Sequence, residues 1–183
     1  MSGPGNGRGP GGVIRWAPLL GVVVAAAHLG WEATHGGIQS HHLMARDDLP
    51  SASNLWGLAI LPALGWLAAY FVGRRCLHAP AAPRRAITAF VAAIVLGLAL
   101  SAAFTQGLGD VAAGVFLTAL AASLLFPTYR AEYAFGFVVG MAYVFGPVIP
   151  TLAAAILATV SVLANFVARP LCVGAYRRLR PAA

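Results

Sequence analysis

The chain contains no lysine, only five acids and only two cysteines in 183 residues; 9% of it is charged and 60% hydrophobic. A soluble domain carries roughly 25% charged residues, so a water-facing globular surface is excluded. What remains is a polytopic membrane protein, one domain of helices. The cysteines, Cys76 and Cys172, stand beside arginine-rich stretches and far apart. That excludes a disulfide framework and a thiolate metal cluster. Every one of the twelve basic residues is arginine, which reads as coding bias. A pI near 10.5 would suit nucleic acid, but the placement of the arginines in a membrane topology accounts for it and no nucleic-acid partner is expected.

Long apolar runs are what the chain does have. Residues 1–12 are mainly Gly, Pro, Ser and Asn and are expected to form a disordered tail. Arg15 precedes the apolar run Trp16 to Trp31, long enough to cross a bilayer if its polar end reaches the interface. The basic start and Ala25-Ala26-Ala27 also fit a signal peptide cleaved before His28, the alternative for this segment. Gly36-Gly37 and Pro50 break the chain into a polar loop. Ser53 or Asn54 caps the next helix, which carries Pro62 and ends at Arg74-Arg75.

From Ala86 to Tyr129 the only charge is Asp110, and the run is about twice the ~20 residues of one span. It must fold back, with Gln106-Gly107-Leu108-Gly109-Asp110 as the turn. The run Tyr133 to Ala168 folds back in the same way at Gly146-Pro147 and Pro150. The expectation is an all-α, six-helix transmembrane domain over 13–170, with helices near 13–35, 54–73, 86–105, 109–127, 131–147 and 149–169. A basic tail follows at 171–183. With both termini cytoplasmic, eleven of the twelve arginines fall inside and only Arg46 outside, as the positive-inside rule requires of a bacterial cytoplasmic membrane protein. The lipid bilayer is the expected partner, joined by a second copy or other membrane subunits.

This topology gathers most of the ionisable chemistry at the outer rim. His28 lies thirteen residues beyond Arg15, roughly 20 Å along a helix, where an ionisable group must face other helices or a wet cavity. His28, Glu32 and His35 are spaced i, i+4, i+7 and share one face. Glu32-Ala-Thr-His35 is the Glu-x-x-His spacing by which di-iron bundles present two ligands, although it occurs once where such a site needs it twice. The expected metal ligands are therefore His28, Glu32, His35 and the loop residues His41 and His42. Zn, Fe or Cu fits imidazole and carboxylate donors. Glu32, Asp47 and Asp48 are the candidate catalytic acids or bases. Trp31, Asn54, Trp56, Gln106 and Asp110 are candidates to line a substrate site, the tryptophans competing with a role in the interfacial aromatic belt. A reading without metal makes Glu32, beside His28, a proton donor or relay. The bland alternative is a polar cap in which His28 and Glu32 bond each other.

His28-Leu-Gly-Trp-Glu32 and Gln106-Gly-Leu-Gly-Asp110-Val111, with a Trp56-Gly57 helix between, resemble the His-x-x-x-Glu and Gln-x-x-Gly-Asp-Val segments of the emopamil-binding (EXPERA) sterol isomerase family. The resemblance implies acid/base isomerisation or binding of a sterol-like ligand, with Glu32 and His28 as acid and base. That family usually has five spans, and the distance between the segments differs. In size and span count the chain is also similar to the substrate-capture subunits of energy-coupling-factor transporters, an analogy of architecture implying capture of a solute or metal and a partner ATPase.

Overall fold

The computed structural model describes residues 12, 14–42 and 51–173. Among these it contains six α-helices: α1 (Ala17–Thr34), α2 (Gly57–Cys76), α3 (Ala82–Thr105), α4 (Gly109–Leu125), α5 (Ala131–Phe145) and α6 (Val148–Leu163). Between α1 and α2 a small antiparallel ribbon pairs β1 (Ser40–His42) with β2 (Ser51–Ser53), His41 opposite Ala52. A single 3₁₀ turn, Asn54–Trp56, then leads into α2.

Four stretches are long and apolar enough to cross a membrane: Ala17–Thr34, Asn54–Cys76, Ala82–Thr105 and Val148–Val173. They mark the chain as a membrane protein. α4 and α5, with 17 and 15 residues, are shorter.

The helices go up and down, so α3 and α5 run parallel and form the most extensive contact, with α1 and α2 as a second tight pair. Both contacts depend on glycine. A Cβ at Gly136 would strike the Phe90 carbonyl, and one at Gly140 would crowd Ile94 and Gly97; Gly21 meets the Leu61 carbonyl in the same way. Small residues let backbones approach where lipid offers no hydrophobic drive for association. α5 is the central helix: it packs on α2, α3 and α6 and buries Phe135, Phe137, Val138, Met141 and Ala142. α4 lies at the other edge of the bundle from α1, against α3 and α6.

The turns fall where glycine was expected to place them, Gly107 and Gly146 taking φ of 70° and 66°. Several helix ends differ from expectation by two to four residues, three of them for a clear physical reason. α2 runs through Arg74-Arg75 to Cys76, since cations suit the last turn of a helix. α3 starts at Ala82, because Pro83 fits a first turn that needs no N–H donor. Helix α6 continues through a π-type turn at Ala164–Ala168 and on to Val173, past the expected start of the tail. There Arg169 bonds the carbonyl of Leu125 at 2.6 Å, capping the C-terminal end of α4.

Candidate functional site

The last turns of α1 carry a buried carboxylate. Glu32 and His28 sit one helical turn apart, their side chains each 8% exposed, with His28 Nε2 3.4 Å from Glu32 Oε1. Asn54 Nδ2 donates to the same oxygen at 2.5 Å, and the Gln39 backbone N–H donates to Oε2 at 3.3 Å. The sequence explains this local fold. Gly36 and Gly37, at φ of 120° and 94°, end α1 and turn the chain back so that Gln39 reaches Glu32. Asn54 is 2% exposed because Ser53 caps the 3₁₀ turn through the Leu55 N–H, which directs the Asn54 side chain inward. The pair is thus held by an α1 acid, an α1 imidazole, a ribbon-entry amide and the first side chain of the following turn. From α5, Tyr143 stands over the site, its ring 5.7 Å from that of His28.

His35 does not join. It is the first residue past α1, with non-helical φ and ψ of −125° and 37°, so helical spacing no longer governs its direction. Its ring stacks on Trp31 at 3.7 Å, and Nδ1 lies 3.0 Å from the Trp31 carbonyl oxygen. Trp31 and Trp56 are 51% and 60% exposed, as belt residues would be, and they do not close over Glu32. Asn54, expected to contact substrate, is instead committed to Glu32. Gln106 and Asp110 are exposed in and beside the α3–α4 turn, on a helix pair whose neighbours are α2, α5 and α6. Asp47 and Asp48 lie outside the described residues, as do the side chains of His41 and His42, whose backbones form β1. Among the described residues no three His, Cys, Asp or Glu groups converge as metal ligands.

A second buried acid lies at the opposite end. Glu132, 3% exposed on the first turn of α5, accepts from Arg75 Nη2 with both oxygens, at 2.9 and 2.7 Å. The tie joins the end of α2 to the start of α5. Sequence reasoning missed it along with the Asn54 bond and Tyr143, because no local spacing connects residues so far apart in the chain. An acid in an otherwise apolar helix start is the one signal that Glu132 needed a partner.

No family model matches the chain, and no curated protein or solved structure matches it.

Proposed function

We propose that the protein is a six-span integral membrane protein of a bacterial cytoplasmic membrane, both termini inside, whose outward rim carries a proton-exchanging acid–imidazole site, Glu32 with His28. The arginine asymmetry supports the orientation. The two short helices are compatible with six spans: α5 is enclosed by its neighbours and so is freed from matching the hydrocarbon thickness, and α4 needs only a modest local adjustment of the bilayer. Gly21, Ala25 and Glu32 of α1 are buried, which favours a retained first span over cleavage after Ala27.

The observation that carries the site is the buried Glu32–His28 contact, held by Asn54. A neutral amide or hydroxyl would fasten the ribbon as well, and an ionisable pair near the membrane is costly to keep without a use. The pair holds one proton that it can give up: imidazolium beside carboxylate before the transfer and imidazole beside carboxylate after it, the proton passing to a basic atom of the ligand. Such a group serves acid–base chemistry on a ligand arriving from outside, or proton-linked capture of a solute. Co-purification of an ATPase would favour capture. Ring-nitrogen NMR of purified protein at one fixed pH tests the site. The His28 signal is expected to differ between the wild type and Glu32→Gln, because the amide removes the acid that shares the ring's proton. Identical His28 behaviour in both proteins contradicts the reading.

A metal-centred reading has one geometric observation in its favour. The 3.4 Å between His28 Nε2 and Glu32 Oε1 suits two ligands at about 2.1 Å from one Zn, Fe or Cu ion, and β1, with His41 and His42, begins next to the Gln39 that binds Glu32. Metal analysis of wild type, Glu32→Ala and His28→Ala separates the two. Near-stoichiometric metal lost in both variants selects the metal site, and equal near-zero content in all three removes it.

A further inference from the structure

The arginine end of the bundle carries an open cavity of about 830 Å³ between the end of α2 and the starts of α3 and α5. Its rim is formed by Arg74, Arg75, His78, Arg85 and Arg130. Among the described residues no acid lines this cavity; Glu132, next in the chain to the lining Ala131, has both of its oxygens taken by Arg75. Arg74, Arg85 and Arg130 therefore face a shared space with their charges uncompensated by any described carboxylate. Arg74 is steadied above Tyr70, its guanidinium carbon 5.8 Å from the ring centroid. Like charges converging on one cavity repel unless an anion lies among them.

The other wall identifies which anion. Leu64, Leu67 and Phe71 line the same cavity, and with Arg74 they fall at steps of three, four and three residues, one stripe along α2. The stripe descends from a cationic head into the apolar face of a membrane-spanning helix. A free inorganic anion has no use for that wall; a phosphate esterified to an acyl-bearing glycerol uses both ends. The volume lies within the roughly 300–1,000 Å³ range of pockets for drug-sized ligands, enough for a head group and the first part of an acyl chain.

We infer that this cavity binds an anionic phospholipid, its phosphate among Arg74, Arg85 and Arg130 and its acyl chain along Leu64, Leu67 and Phe71. The inference rests on the membrane-spanning reading above and is independent of the Glu32–His28 pair. Basic pockets between transmembrane helices at the cytoplasmic surface are suited to such head groups. Arg75 keeps its tie to Glu132 and lines the cavity beside them.

Native mass spectrometry of detergent-purified protein tests it with phosphatidylglycerol, phosphatidylcholine and inorganic phosphate as separate probes. Phosphatidylglycerol is expected to bind at least tenfold tighter than phosphatidylcholine, with inorganic phosphate failing to displace it at millimolar concentration. Arg85→Gln combined with Arg130→Gln should weaken phosphatidylglycerol about 30-fold, and Arg85→Lys with Arg130→Lys should retain most of the binding. Equal binding of the two lipids by the wild type overturns the inference without recourse to any variant. Displacement of phosphatidylglycerol by inorganic phosphate also overturns it, in favour of a free-phosphate site. A periplasmic reporter signal at Ser40 alongside equal lipid binding would leave the membrane topology standing and remove only the lipid.

Discussion

Glu32 accepts from Asn54 and from the Gln39 N–H, so one carboxylate fastens both the ribbon entry and the start of the α2 segment to α1. Removing a buried partner leaves the other group desolvated and unpaired, at about 1–3 kcal/mol. Asn54→Ala is expected to lower stability in detergent by that amount, read by thermal or denaturant unfolding. Because Asn54 and Glu32 share one bond, Glu32→Ala and Asn54→Ala should be non-additive by about 0.5–3 kcal/mol in a double-mutant cycle. Strict additivity would mean the bond carries nothing. At this scale the sequence was half legible. The i, i+4 spacing of His28 and Glu32 was enough to pair them, since both lie within one continuous helix. His35 could not be judged from spacing, because the helix ends one residue before it. Asn54 and Glu132 found partners 22 and 57 residues away, distances over which periodicity says nothing.

The helices were legible as elements because apolar runs of this length have few other uses, and their turns because Gly107 and Gly146 adopt backbone angles that suit glycine. Their ends were less legible. Arginine pairs mark where a helix leaves the hydrocarbon, which is not where its hydrogen bonding stops. α2 and α3 both take their arginines into helix. Which glycines matter also needs the packing. Gly136 faces the Phe90 carbonyl and Ala93 Cβ, whereas a Cβ at Gly114 would meet nothing within 4 Å. Gly136→Ala should therefore cost about 1–3 kcal/mol by forcing α3 and α5 apart. Gly114→Ala should be neutral or stabilise by up to ~1 kcal/mol through helix propensity. The contrast is measured on the two variants side by side by unfolding in the same detergent, and equal effects would contradict a close α3–α5 contact.

For the whole molecule, the division of charge is the feature that relates the two ends. One end has the Glu32–His28 pair beneath a short ribbon. The other has Arg74, Arg75, Arg85 and Arg130 around a cavity, with Arg169 fastening α6 to α4. Six helices and their alternating direction could be read from hydropathy and arginine placement. The order in which they pack could not: nothing in the apolar patterning marks α5 as the centre, because a helix enclosed by protein and one facing lipid are both apolar throughout. The central claim is that the acid–imidazole pair faces outward and the arginine cavity inward. Cysteine labelling in intact cells tests it most directly, with Cys76 and Cys172 replaced by alanine and a single cysteine introduced at Ser40 or at Leu77. A membrane-impermeant maleimide is predicted to label Ser40→Cys in intact cells and Leu77→Cys only after permeabilisation; the reverse pattern would contradict the account.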